Sequence, residues 1–369
     1  MEHFEACGKK IGQDAPVFFI AEVGINHNGS LELAKKHVDA ASQAGADSVK
    51  FQVFSGDRMY VPQAGDYEMM GKKMSILEVV KQGEFKPEWL PVLKKHAEQK
   101  GLVFFASVFA FQDADLMEEH GVGMYKIASY DLTNLPLFKR VAATGKPVLF
   151  SAGGGTLSEI DDAVRTLRSN GCNQFGIFQC VAQYPAPRED SNLAVIEMLK
   201  KAFGCPAGLS DHSFKPDIME VPLAAVAAGA QMVEKHFTLS RELPGPDHKF
   251  AIEPAELKEL ISKSRKIEAK LKKGEKVPVD PVLLGSAARV TYEREKYVRG
   301  FAYKSLFAAS EIKKGDQFTE KNIAILRPGK SKPGIEPKNF FSLIENGARA
   351  TRGLKKFEPI TWDAVFSIK

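Results

Sequence analysis

The chain lacks most of the features that mark a special habitat or partner. Cysteine is scarce: Cys7, Cys172, Cys180 and Cys205 are the only four in 369 residues, and no two are spaced as a CxxC pair. Cys172 and Cys180 fall in or beside an apolar strand, so buried reduced thiols are expected, which favours the cytoplasm. Long apolar runs are also missing. The most apolar stretch, residues 221–230, falls well short of the ~20 residues that span a bilayer, so no membrane partner is expected. The opening Met1-Glu2-His3-Phe4-Glu5 has no basic region leading into an apolar core, so no signal peptide is expected. Charge of one sign is not in excess. Against 46 acidic residues stand 51 basic ones, a net charge of +5. That is too balanced for the concentrated basic footprint of a nucleic-acid binder, and the densest basic run, residues 263–276, suits the solvated face of a helix. What remains, 44% hydrophobic and 26% charged, is ordinary globular composition, enough for one large domain and a small one.

What is present is a repeated alternation. Short apolar runs at residues 17–24, 48–54, 102–108, 124–129, 147–153, 175–182, 207–213 and 231–238 read as strands. Nearly unbroken apolar strands imply a parallel sheet buried on both faces. Segments of helical spacing lie between them, among them residues 31–38, 113–119, 157–167 and 254–271. Gly45, Gly101, Gly121, Gly145, Gly171, Gly204 and Gly229 stand where seven helices should end, as helix stops often do. Eight such units predict an α/β fold of the (β/α)8 TIM-barrel kind over residues 1–275. The rival, an open doubly wound sheet, requires a Gly-rich phosphate loop after the first strand. Asn26-His27-Asn28-Gly29 follows instead. Residues 276–297 have linker composition, with Pro278, Pro281 and Gly285. Residues 298–369 change to short apolar pieces between Gly, Pro and Lys turns and are expected to form a small β-rich module. In it, Glu311-Ile312-Lys313-Lys314-Gly315-Asp316 is followed by a possible second copy, Arg352-Gly353-Leu354-Lys355-Lys356-Phe357-Glu358. Residues 55–86 make a connection longer than the usual ~15. It would lie on the catalytic face, where covering a substrate is one role and a decorated surface loop the plainer one.

In a barrel of this kind the site lies at the C-terminal mouth of the strands. Alternate residues of a strand share a face, which puts Ser210 with His212, Glu234 with His236, and Lys50 with Gln52. Closure sets the eighth strand beside the first, so His212, His236, Glu22 and Lys50 should form an arc. Two histidines on adjacent strand ends can bind a divalent ion through neutral imidazoles; the plainer reading is two satisfied core histidines. With only two protein ligands and oxygen donors completing the site, Mn2+ or Mg2+ is the expected metal. Lys50 and Lys126 end otherwise apolar strands and need a counter-charge. An anionic substrate supplies it, with Ser107, Ser129, Ser151 and Ser210 as hydroxyl donors. Otherwise Lys126 pairs with Glu22 or Asp131. Glu22, near two lysines and a metal, is expected to be ionised. Tyr184 and Asp247 lie in loops that commonly grip substrate hydroxyls, and are otherwise turn residues.

Several motifs resemble the sialic acid synthase family. Residues 19–29 are similar to its opening. Val49-Lys50-Phe51-Gln52, Tyr125-Lys126-Ile127-Ala128-Ser129, Gly208-Leu209-Ser210-Asp211-His212, Glu234-Lys235-His236-Phe237-Thr238 and Pro244-Gly245-Pro246-Asp247 follow in order. The tail, with Leu326-Arg327-Pro328-Gly329, resembles the family's antifreeze-like (SAF) domain. The resemblance implies condensation of phosphoenolpyruvate with an N-acetylated amino sugar, giving a nine-carbon sialic-type acid and phosphate. It implies that Lys50, Ser107, Lys126, Ser129, Ser151 and Ser210 hold phosphoenolpyruvate, that His212 and His236 hold the metal, and that Tyr184 and Asp247 hold the sugar. Gln52 and Asp131 would assist, and Glu22 would orient or deprotonate groups at the reacting carbons. It also implies a domain-swapped homodimer in which Arg327 reaches the partner's sugar site.

The chain departs from the family pattern in three places. Ala182 stands where Asn or Ser is frequent near the phosphate. Ser107-Val108 replaces a frequent Thr-Pro, and Ser151-Ala152-Gly153-Gly154-Gly155 replaces Ser-Thr-Gly-Met. None removes a lysine or a candidate metal ligand. Two other functions fit parts of the pattern: a sugar-binding barrel without turnover, and a related synthase acting on a phosphorylated sugar. The second needs another phosphate site, for which the strand ends offer no further arginine cluster.

Overall fold

The computed structural model describes residues 2–69, 72–289 and 292–366. Among them, eight parallel strands close into a barrel: β1 (Phe18–Gly24), β2 (Ser48–Val53), β3 (Val103–Val108), β4 (Tyr125–Ile127), β5 (Val148–Ser151), β6 (Phe175–Cys180), β7 (Ala207–Asp211) and β8 (Met232–His236). Each pairs with its neighbours in sequence, and β8 closes onto β1. All eight lie within the spans expected from sequence. Their residues are buried almost throughout, because the barrel interior covers one face and the helical layer the other. The expected helices are present and longer than their sequence signals, for example Leu31–Ala44, Phe111–Glu119, Leu157–Ser169 and Pro254–Lys272. All seven expected stop glycines adopt positive φ. At Gly45 the left-handed turn lets its N–H reach back to the carbonyls of Ala41 and Ser42 and close the helix.

An N-terminal hairpin, His3–Ala6 with Lys9–Gly12, had no sequence signal that set it apart. Its residues lie against segments that enter three barrel strands. Lys9 pairs with Asp47 ahead of β2 at 3.5 Å, Cys7 abuts Gly123 ahead of β4, and Gly12 abuts Pro206 ahead of β7. It therefore sits across the bottom of the barrel, opposite the mouth. Cys172, Cys180 and Cys205 are buried and unpaired, while Cys7 is exposed.

The described residues of the connection after β2 form regular elements. It holds a helical turn (Gly56–Met59), two paired strands (Asp66–Met69 and Lys72–Ser75) and a helix (Ile76–Gln82); residues 70 and 71 lie outside the described residues. The linker expected over residues 276–297 contains a turn of helix, Pro281–Leu284, and runs into a further helix, Glu293–Ala302, with residues 290 and 291 outside the description. Beyond it, strands Ser305–Ala308 and Ile323–Leu326 pair antiparallel. A second core forms around Leu306, Phe318, Phe340, Leu354 and Ile360. The two suspected copies in this module pair with one another. Ile312 and Leu354 exchange both backbone hydrogen bonds, at 3.0 and 2.8 Å. Each copy closes the same turn, Asp316 accepting from the Lys313 N–H and Glu358 from the Lys355 N–H. Gly315 takes φ +91° in one turn and Phe357 takes φ +64° in the other.

The module docks on the barrel mouth of its own chain. Phe54, Met59, Tyr60, Val61 and Phe109 pack against Phe307 and Leu326. The Arg327 N–H donates to the Met59 carbonyl at 2.8 Å, and the Val61 N–H donates to the Arg327 carbonyl at 3.1 Å. No helix among the described residues is long and apolar enough to cross a membrane.

Candidate active site

Strand register builds the site. His236 lies opposite Glu22 on β1, Glu22 opposite Lys50 on β2, and Ser210 opposite Glu234. The alternating partners face outward: Lys235 binds Asp211 at 2.5 Å and the Ser213 carbonyl at 2.7 Å on the helix side. Between Glu22 and Gly24 the β1–β2 register slips by a bulge, which re-aims the strand end. Gly24 sits there at φ +54°, and a Cβ on it would come within 3.2 Å of both the Glu22 carboxylate and the Gln52 amide.

The centre is a buried network of two lysines and two carboxylates. Lys50 Nζ lies 2.7 Å from Glu22 and 3.6 Å from Glu234 and donates to Ser107 Oγ at 2.9 Å. Lys126 Nζ donates to both Glu234 oxygens at 2.8 and 2.9 Å, and Ser210 Oγ donates to Glu234 at 2.9 Å. Gln52 donates to Glu22 at 2.9 Å. Lys126 is therefore paired, but with Glu234 rather than with Glu22 or Asp131. This division sets the protonation of the acids. Burial pushes both carboxylates up, but Lys126 and Lys50 together hold Glu234 near 2. Glu22 has only Lys50 in contact, and its burial wins, leaving its carboxyl above the ordinary value. The expectation of a simply ionised Glu22 assumed two lysines at its side; the second is spent elsewhere. Burial also lowers Lys126, whereas Lys50, shared by two acids, is raised despite its burial.

Beside this network lie the histidines, their rings 5.5 Å apart. His212 Nδ1 donates to the Val181 carbonyl at 2.7 Å, which fixes the tautomer and leaves Nε2 with a lone pair. His236 Nδ1 is buried without a hydrogen-bond partner, 3.7 Å from Asp247. Burial lowers both imidazoles, so both are neutral, the form that ligates a metal. Among the described residues no group of three or more His, Cys, Asp or Glu side chains could hold a metal. The donors fit an exchangeable divalent ion with two protein ligands. Tyr184, 45% exposed, lies over His212 with centroids 4.0 Å apart and meets His236 edge-on. Phe250 packs against both rings, 5.0 Å from His236 and 5.5 Å from Tyr184 between centroids. Burial and the nearby Glu22 raise Asp247 to about 7.

The remaining rim belongs to β3–β6. Ser129 Oγ accepts the Gly153 N–H at 3.0 Å, and Ser151 Oγ is buried without a partner. Asp131 is fully buried, 3.4 Å from Lys304 and 3.8 Å from Arg327. Arg327 lies over the rings of Tyr60, Phe109 and Tyr130, and Tyr130 adjoins Tyr184. Every site residue expected from sequence other than Ser151 thus falls in one continuous set of contacts around the mouth, with Ser151 buried at the end of β5 and Arg327 on the barrel of its own chain. Three participants were missed. Glu234 was detectable, since it shares a face with His236. Lys304 was detectable too, as a lysine in an apolar run, the signal that singled out Lys50 and Lys126. Glu295, fully buried against the β5 and β6 loops, had no signal that separates it from the charged residues around it.

Comparison with known proteins identifies the fold and the family. The NeuB family model matches residues 37–276, and the SAF domain model matches residues 303–365. The spore coat polysaccharide biosynthesis protein SpsE of Bacillus subtilis is 46% identical over 367 residues, covering 99% of this chain and 98% of that protein. Its crystal structure superposes with a TM-score of 0.88 over 99% of each chain. The N,N'-diacetyllegionaminic acid synthase of Campylobacter jejuni is 35% identical over 92% of this chain and 98% of its own. A pseudaminic acid synthase of the same species is 32% identical over 93% of this chain and 94% of its own.

Proposed function

The chain belongs to the NeuB family, and on that basis we propose that it condenses phosphoenolpyruvate with an N-acetylated amino sugar. The products would be a nine-carbon sialic-type acid and inorganic phosphate. The observation that carries the reading is the Lys50–Glu22–Glu234–Lys126 network, with His236 in register with Glu22 and His212 beside His236. Relatives named as N,N'-diacetyllegionaminic acid and pseudaminic acid synthases support a diacetamido-trideoxyhexose as acceptor, with N-acetylmannosamine as the alternative.

His212 and His236 would hold Mn2+ or Mg2+, which would supply a Lewis acid for the aldehyde of the open-chain sugar. The protein's own groups do the rest. The two lysines are fully neutralised by the two carboxylates, so an entering anion must free one of them. Glu22, with its raised pKa, takes up a proton most readily, and Lys50 is then released toward the phosphate while Lys126 stays held by Glu234. Ser107 and Ser210 already contact this network, and the unpartnered Ser151 hydroxyl adds a donor. Gln52 fixes the Glu22 oxygen that orients or relays a proton at the reacting carbons. Tyr184 and Asp247 border the histidines where the sugar would lie, with Asp247 poised near neutrality to exchange a proton with a sugar hydroxyl. Arg327 and Asp131 close the far end. A homodimer is part of the proposal; its interface would leave each mouth with one Arg327.

The test is phosphate release from phosphoenolpyruvate with Mn2+ against a panel of N-acetylated hexosamines and diacetamido sugars. Sugar-dependent release is expected and would identify the acceptor. A folded protein that releases none with any sugar would remove the reading.

A further inference from the structure

The segment joining the two domains does more than span them. Among the described residues of the 289–304 segment, five side chains bond to the β3–β6 half of the mouth. Arg289 donates to the Ala152 carbonyl. Arg299 donates to the Gly154 carbonyl at 3.2 Å and to Glu159 at 2.9 Å. Tyr303 Oη donates to the Gly153 carbonyl at 2.7 Å, and Lys304 donates to the Phe109 carbonyl. Glu295 is the one carboxylate in this set. It is wholly buried, and one of its oxygens accepts the N–H of Gly154 at 2.8 Å and the N–H of Ala182 at 2.7 Å. Its second oxygen accepts the Tyr292 N–H at 3.0 Å, which pins the start of its own helix.

Those two amides belong to the loops that leave β5 and β6, next to the hydroxyl groups expected to meet an anion. Gly153 shows how tightly these loops converge. A Cβ there would lie 2.9 Å from Ser129 Oγ, 3.1 Å from the Ala182 nitrogen and 3.1 Å from Cys180 Sγ. The Gly153 N–H in turn holds Ser129 Oγ. A run of three glycines has little conformational preference of its own, so the position of this loop must be imposed from outside. Glu295 does so by bridging two loops with a single oxygen that accepts from both.

We propose that Glu295 is a positioning residue for the phosphate end of the site: it sets the Gly153–Gly154 and Ala182 loops against Ser129, so that docking of the joining segment completes the anion subsite. The proposal rests on the function proposed above for the identity of the anion. It also accounts for Ala182, which offers no side-chain donor but whose backbone N–H serves as an anchor for the loop.

The test measures phosphoenolpyruvate binding to the full chain by calorimetry, with thermal unfolding alongside. Three variants separate the possibilities. E295Q keeps an acceptor at the same reach, E295D keeps the charge but shortens the reach, and E295A removes both. Positioning predicts affinity within about twofold of the parent for E295Q, and roughly tenfold weaker binding for E295D and E295A. If E295A does not fold, the E295Q and E295D pair decides alone. Unchanged affinity in E295D and E295A with a lowered unfolding temperature would overturn the proposal, leaving Glu295 a stabilising contact only. Tighter binding in E295Q and E295A, with E295D like the parent, would also overturn it, because the carboxylate would then be competing with the anion. A parent chain that binds no phosphoenolpyruvate would remove the proposed function and this inference together; a parent that binds it, with variants that do not differ, would remove the inference alone.

Discussion

The two halves of the barrel rim are built on different plans. On the β7–β8–β1–β2 half, side chains in strand register meet one another: His236 faces Glu22, and Glu22 faces Lys50. Their charges are balanced within the barrel: β-pairing brings the neighbours together, and Lys126 of β4 reaches across to Glu234. On the β3–β6 half, apart from Lys126 and Asp131, the groups at the mouth are hydroxyls, backbone amides and carbonyls on short loops, and the joining segment holds them through Glu295, Arg299, Tyr303 and Lys304. One half is complete when the barrel folds; the other is complete only when a segment outside the barrel docks. A site assembled in this way can keep His212 and His236 in place and still be incomplete.

The largest effect expected from this contrast comes from removing the outer support. A fragment ending at Gly285 retains nearly all of the main core, of which Tyr303 is the one member beyond that point. It should fold and bind Mn2+ as the full chain does, yet show no measurable turnover. Retained turnover would mean that the β3–β6 half organises itself. Next in size, H212A and H236A should each lower metal-dependent phosphate release by about a thousandfold or more while leaving phosphoenolpyruvate binding near its parent value. Full activity in both variants would dismiss the metal assignment. The smallest effect concerns the packing behind the inner half. Burial lowers His27, His37 and His248 to about 4. Their folded-state values lie below the unfolded value of ~6.5, so the unfolded chain binds protons first as pH falls. The stability they support is whole above about pH 6.5 and declines toward pH 4, by up to roughly 3 kcal/mol for each histidine. Urea unfolding at a series of pH values would show it, and a midpoint that does not move between pH 7 and pH 5 would contradict the neutral, buried assignment.

The same division explains what the sequence made legible. Strand alternation, a period of two and eight units located the barrel and placed His212, His236, Glu22 and Lys50 in one arc, because strand neighbours are fixed by closure. Lys126 was located, but its partner was not, since choosing among Glu22, Asp131 and Glu234 requires reach across the barrel lumen. Glu295 and Lys304 approach from more than a hundred residues away in the chain. No local period links them to the loops they hold. The ordered character of the connection after β2 was also hidden, because its helices and paired strands are short and depend on the small module packed against Tyr60 and Val61.

The paired turns of the small module make a near twofold object, and such an object has two equivalent ways to sit on a surface. Gly315 occupies its left-handed position as expected of glycine, but Phe357 holds the matching position at φ +64°, a conformation that costs a bulky residue on the order of 1 kcal/mol or more. Phe357 packs with the cluster between module and barrel, and its carbonyl accepts a hydrogen bond from Gln63 at 2.7 Å. Turned half a revolution, the module would present a bare glycine there. The two copies have thus lost interchangeability where it counts: one stays plain toward solvent while the other acts as a key. The lock admits a single orientation, and in that orientation Arg327 arrives over Tyr130 and faces Asp131.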